Sequence, residues 1–188
     1  MQLFSMITVI LAMILGLGIT TLLTSFVTMF RLRGKGCLHW MPLAWAACIF
    51  IFHVQFWWAL IEVQEIIHRW NLWQFLLLLL LTLLLFLASA LILPRKLEHN
   101  QKLLDEFHQD GQWALIILVL YAITASMTDY LFWGARMETI DWIFLGMEIV
   151  LPIINLMTRR VWPETISTTL YVLNCLLSGL LLAPLSYS

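Results

Sequence analysis

Charge is scarce in this chain. Only 11% of its 188 residues are Asp, Glu, Lys or Arg, 62% are hydrophobic, and the mean hydropathy is +0.93. Soluble domains carry about 25% charged and about 45–50% apolar residues. Too little charge is present to coat a water-facing surface, which excludes a soluble globular enzyme. Disorder is excluded too, because it requires low hydrophobicity. The formal net charge of −1 gives no argument for a nucleic-acid partner. Cysteine is equally sparse. Cys37, Cys48 and Cys175 form no CxxC pair, so neither thiol exchange nor a zinc ribbon is suggested. No HExxH or GxSxG motif occurs. The lysines, Lys35, Lys96 and Lys102, all lie between apolar runs, which excludes a buried retinal Schiff base. No catalytic residue, metal site or cofactor is implied.

Long apolar runs are abundant. A bilayer core about 30 Å thick is crossed by about 20 apolar residues of helix. Six runs of about this length stand out, at 3–30, 41–62, 72–93, 113–133, 142–157 and 166–183. The expected fold is therefore all-α, a polytopic membrane protein forming one transmembrane domain over 1–188. The first run has no Lys or Arg before it and exceeds the length of a signal-peptide core, so it reads as a retained helix. The one long connection, 94–111, carries Leu97, Leu104 and Phe107 at near-helical spacing among charges. It is expected to form a short amphipathic helix on the cytoplasmic leaflet, with His99 and His108 solvated.

Eight of the ten basic residues fall in the first, third and fifth connections: Arg31, Arg33, Lys35; Arg95, Lys96, Lys102; Arg159, Arg160. Arg69 and Arg136 occupy the second and fourth. The positive-inside rule then places the odd connections in the cytoplasm and both termini outside. Tryptophans follow the same frame. Trp40, Trp113 and Trp162 stand at the inner ends, and Trp70, Trp73, Trp133 and Trp142 at the outer ends, as expected of an aromatic belt.

Three segments, GLGITTLL (16–23), QFWWAL (55–60) and LLLFLASALILP (83–94), together resemble an uncharacterised family of small bacterial multi-pass membrane proteins. The resemblance covers about the first half of the chain. It implies a bacterial cytoplasmic membrane and no named activity. Within the chain, LASALILP (87–94) also resembles LLSGLLLAP (176–184). These strings end the third and sixth runs, and a three-plus-three duplication would make the halves an inverted repeat, an arrangement common in transporters.

Polar side chains inside a bilayer must face protein or water. In the fifth run, Asp141, Glu148, Pro152 and Asn155 form one continuous stripe. Glu148 lies roughly 10 Å below the boundary at 1.5 Å per residue. A charge at such a depth costs about 2.5–3.5 kcal/mol, so Glu148 reads as a proton, cation or substrate site, or as a sealed structural carboxyl. In the second run, Gln55, Glu62 and Arg69 recur every seventh residue, and His53 lies near mid-membrane. Asp129 joins Ala122 and Ser126 on a narrow small-and-acidic face of the fourth run. Gly16, Thr20, Thr24 and Thr28 recur every fourth residue in the first run. They are expected to admit a close helix neighbour, either the fifth or sixth run or a second copy of the chain. The third run, almost wholly Leu and Phe, is expected to face lipid.

Three classes of function fit these residues. Small size and missing catalytic motifs favour a non-catalytic membrane subunit, sensor or scaffold that assembles with itself or another membrane protein. Glu148 and its stripe favour a small transporter or channel subunit. A lipid-directed intramembrane enzyme would use Asp129, Glu62 and His53 as acid–base groups, with no visible nucleophile. A water-lined cavity reaching Glu148 would separate the second class from the first.

Overall fold

The computed structural model describes residues 2–31, 39–66, 70–94, 103–133, 139–158 and 161–181. They form α1 (Gln2–Arg31), α2 (Trp40–Ile66), α3 (Leu72–Leu91), α4 (Leu103–Glu106), α5 (Gln112–Trp133), α6 (Thr139–Met157) and α7 (Val161–Leu181). No strand occurs among the described residues. Five of the six long helices, α1, α2, α3, α5 and α6, are long and apolar enough to cross a membrane. The sixth, α7, is 21 residues long but richer in polar groups, and it turns Glu164, Ser167, Thr168, Asn174 and Ser178 inward. The outer surface is apolar, with Met13, Leu17, Leu80, Ile143 and Leu180 among many exposed side chains. A multi-pass membrane protein is the class that tolerates such a surface.

The ends follow local chemistry. Pro42 and Pro163 sit in the first turns of α2 and α7, where a missing N–H breaks no intrahelical bond. The Asn71 backbone N–H donates to the Gln74 side chain at 3.0 Å, tying down the start of α3. Exposed tryptophans mark both ends of the bundle. Trp40, Trp113 and Trp162 open α2, α5 and α7, and Trp73 and Trp142 open α3 and α6.

Around the bundle, α3 packs between α1 and α5, α6 between α5 and α7, and α7 closes onto α2. Helix α2 also touches α1, α3 and α5 and so reaches toward the centre. The pairing differs between the two halves. α1 packs broadly on α3, whereas α5 and α7 are not among the closely packed pairs.

Three expectations are corrected. The third run is not peripheral. Helix α3 buries Leu78, Leu81, Thr82, Leu85, Ala88 and Ser89 and exposes Trp73 near its start and the opposite leucines, such as Leu76, Leu80, Leu83 and Leu87. A helix that is leucine on every side gives no hydropathy contrast, so the small residues Ala88 and Ser89 decide which face neighbours can approach. Of the two neighbours expected for the α1 stripe, the fifth or sixth run is set aside, because α1 packs within the chain through a different face. Ile7, Leu11, Leu15, Gly18, Leu22, Ser25 and Met29 are buried, while Gly16, Thr20 and Thr24 are exposed and Thr28 is half-exposed. The threonine stripe therefore packs against neither α6 nor α7; α1 packs on α2 and α3. Its hydroxyls donate to carbonyls one turn back, Thr20 to Gly16, Thr24 to Thr20 and Thr28 to Thr24, at 2.7–2.8 Å.

Within the 94–111 segment, residues 95–102, Leu97 and His99 among them, lie outside the described residues. Leu103 and Phe107 are buried against protein. A π-helical turn, Phe107–Gly111, joins α4 to α5, so this part runs straight into a span. Gly111 suits this turn, because a Cβ there would force the Phe107 ring to shift. His108 is not solvated as expected but sits against Glu164.

Candidate functional site

One half of the bundle contains a half-enclosed cavity of about 200 Å³. Its walls come from the C-terminal halves of α2 and α5 and the N-terminal halves of α3 and α6. It therefore lies toward the end that carries connections 67–71 and 134–138. From α2 come Phe52, Gln55, Phe56, Ala59, Leu60 and Val63, and from α5 Tyr121, Ala125, Thr128, Asp129 and Phe132. Both sets follow the i, i+3/i+4, i+7/i+8 spacing of one helical face. Leu78 and Leu81 of α3 and Glu148 of α6 complete the lining.

Three residues singled out in sequence, Gln55, Asp129 and Glu148, thus meet in one place. Asp129 is exposed and Glu148 half-buried, so one carboxyl marks the mouth and the other the interior. Gln55 is held by neighbours. Its Nε2 donates to the Cys175 carbonyl at 3.5 Å, and its amide lies over Gly179, where a Cβ would overlap it. The Thr128 hydroxyl donates to the Thr124 carbonyl at 2.8 Å. Pro152 has no N–H to give the Glu148 carbonyl one turn earlier, so the α6 backbone is less tightly bonded at the cavity.

Rings close the cavity toward the other half of the bundle. Phe52 lies 5.8 Å from Tyr121 between ring centroids and 6.3 Å, edge-on, from Tyr171. Tyr171 stacks on Trp45 at 4.3 Å, and the Trp45 indole N–H donates to the Thr168 hydroxyl at 3.2 Å. Trp45 and Tyr171 are almost completely buried. The aromatic walls were not legible as a site. Their signal is the shared face of Phe52 and Phe56 with Gln55, and of Tyr121 and Phe132 with Asp129.

The remaining expected site residues lie elsewhere. His53 is fully buried and points its Nε2 at Gly18 of α1, where a Cβ would overlap it. Its Nδ1 lies 2.9 Å from the Ile49 carbonyl, so Nδ1 carries the proton and donates it. The Nε2 atom has no hydrogen-bond partner among the described residues. His53 is a packing residue at the α1–α2 contact. Asn155, buried, donates to the Ser167 hydroxyl of α7 and ties α6 to α7 about 10 Å along the helix from Glu148. Asp141, half-exposed, is not part of the cavity lining. The Glu62 side chain lies outside the described residues.

At the opposite end, polar groups at the starts of α2 and α7 and in the turn before α5 gather where only loop charge was expected. The His108 ring nitrogen Nε2 lies 3.0 Å from the Glu164 carboxylate, which is 3% exposed. Glu164 occupies the first turn of α7, where the helix dipole favours negative charge. His39, just before α2, accepts from the Met41 N–H through Nδ1 at 3.4 Å. Burial holds the His39 imidazole below its ordinary range; the Glu164 carboxylate opposes this, and His108 reinforces it. No group of three or more His, Cys, Asp or Glu is arranged for a metal ion among the described residues.

Compared with known protein families, curated proteins and solved structures, the chain matches none.

Proposed function

We propose that this chain is a small membrane carrier that admits a solute from outside into the cavity at Asp129 and Glu148. The supporting observation is the cavity itself, with two carboxyl groups from different helices at its mouth and interior and a ring-packed seam on its far side. A scaffold gains nothing from a costly carboxyl beside empty space, so the cavity moves the balance away from the scaffold reading that the sequence favours. The exposed stripe of Gly16, Thr20 and Thr24 favours self-association of the carrier as an accompanying property. The lipid-directed enzyme is the weakest reading, because His53 packs against α1 rather than joining Asp129.

The orientation rests on the basic residues. We place the termini and the cavity outside, and the His108–Glu164 end in the cytoplasm, in a bacterial inner membrane as the resemblance implies. A cysteine introduced at Lys102 in a cysteine-free background is expected to react with a membrane-impermeant maleimide only after cells are permeabilised. Labelling of intact cells would reverse the orientation.

The carrier reading is tested by flux. Protein reconstituted in vesicles is expected to dissipate a proton or monovalent-cation gradient, and Glu148→Gln to slow this at least about tenfold, an effect of about 1.4 kcal/mol on the limiting step. The variant should melt like the parent, because Gln keeps the volume of Glu. Flux equal to protein-free vesicles, or a fully active Glu148→Gln protein, would defeat the reading.

A further inference from the structure

We propose that the cavity is a binding site for a small organic ammonium, one positive charge carried on an aromatic or compact apolar body. This rests on the carrier reading only in supposing that the bound species is also moved.

Charge sign comes first. Apart from Tyr121, the ionisable side chains of the lining are the carboxyl groups of Asp129 and Glu148, and among the described residues no Lys, Arg or His is part of it. The other polar groups offer little to an anion. The Thr128 hydroxyl and one Gln55 amide N–H already donate to backbone carbonyls, and the other donors, the second Gln55 N–H and the Tyr121 hydroxyl, carry no charge. An anion would meet two acidic groups and only uncharged donors, whereas a cation meets charge of opposite sign, with the Glu148 carboxyl as its acceptor inside the cavity.

The walls then separate an organic cation from an inorganic one. Four rings, Phe52, Phe56, Tyr121 and Phe132, face the same space as the carboxyl groups. A ring face attracts an ammonium through its quadrupole, more strongly where the pair is desolvated. The Phe52–Tyr121 contact holds two of these rings at a fixed tilt of 44°, so this wall is preformed. A small hydrated metal ion would instead need several oxygen ligands in its first shell. The two carboxyl groups stand beside four aromatic rings rather than within a ring of oxygen ligands, and the described residues hold no group of three or more His, Cys, Asp or Glu suited to a metal ion.

Size narrows the class further. A void of about 150 Å³ accommodates one benzene. The cavity, at about 200 Å³, has room for a ring and a short ammonium arm. Asp129 at the exposed mouth would meet the charge first, and Glu148 would receive it within, while the ring lies against Phe52 and Phe56.

Binding is measured directly, by calorimetric titration of purified protein in lipid nanodiscs with 2-phenylethylammonium. The neutral 2-phenylethanol and the anionic phenylacetate serve as size-matched probes. Saturable binding of the ammonium is expected, with both comparison probes at least about tenfold weaker. Glu148→Gln and, independently, Asp129→Asn should each weaken the ammonium by about tenfold, which is about 1.4 kcal/mol. Asp129 is exposed, so its substitution keeps the test valid if Glu148→Gln fails to fold. Equal binding of the alcohol, absence of ammonium binding, or ammonium binding untouched by both substitutions would overturn the proposal. Glu148-dependent proton or metal-cation flux without ammonium binding would overturn it while leaving the carrier reading intact. Selective ammonium binding that both substitutions weaken, without flux of any species, would support this site and defeat the carrier reading.

Discussion

Gly18→Leu is expected to unseat α1 from α2. At Gly18 even a Cβ would fall on Nε2 of His53, and the imidazole cannot swing away because it is fully buried and its Nδ1 is held by the Ile49 carbonyl. Helix association in lipid depends on such close packing rather than on a hydrophobic driving force. Overpacking a tight contact costs about 1–3 kcal/mol, occasionally more, and a branched four-carbon side chain belongs at the upper end. Thermal unfolding in detergent should show a clear fall in midpoint. Thr24→Leu adds a smaller bulk to an outward face and should change monomer stability by less than about 0.5 kcal/mol. His53→Ala introduced into the Gly18→Leu protein should recover part of the loss, because it removes the atom in the way and the two sites are coupled. Equal melting of the Gly18→Leu and Thr24→Leu proteins would refute this account of the α1–α2 contact.

His108→Ala is expected to loosen the junction between the π-helical turn that precedes α5 and the start of α7. It leaves the Glu164 carboxylate, 3% exposed, without its neighbour. Removing one partner of a fully buried ion pair costs about 3–5 kcal/mol. The His108 side chain keeps 21% of its exposure, so water can reach the stranded group and about 1–3 kcal/mol is the better figure. Replacing both residues with apolar side chains, as in His108→Phe with Glu164→Leu, should restore most of the stability, because no charge then remains to be desolvated. Melting of the two single variants and the double variant closes the cycle. If the double variant falls by the sum of the singles, the two side chains are not coupled.

Much of the architecture could be read from residue order alone, because the bilayer demands runs of about 20 apolar residues and those runs are plain here. The faces were harder. Glu148 and Asn155 share a stripe, and both do turn inward, yet about 10 Å of helix takes one to a cavity and the other to Ser167. Spacing along a helix reveals which residues share a side; it is silent about what that side meets. For the same reason Gln55, Asp129 and Glu148 each drew notice singly, while their meeting depended on α2, α5 and α6 converging. The Leu-rich third run defeated the method for a different reason, since a helix equally greasy on every side has no direction. The His108–Glu164 pair was missed because both residues stand at helix ends among other charges, where hydropathy carries no contrast between solvated and buried.

The threonines of α1 show how a polar residue can vanish from view. Thr20, Thr21, Thr24 and Thr28 each direct the hydroxyl hydrogen into their own helical turn, at 2.7–2.8 Å. What they turn to the surroundings is a methyl group, so an acyl chain lying along this furrow meets hydrocarbon throughout. Composition counts four alcohols there; the bilayer meets something closer to four valines. The segment can therefore sit in oil by itself, with no neighbouring helix needed to shelter its oxygen atoms.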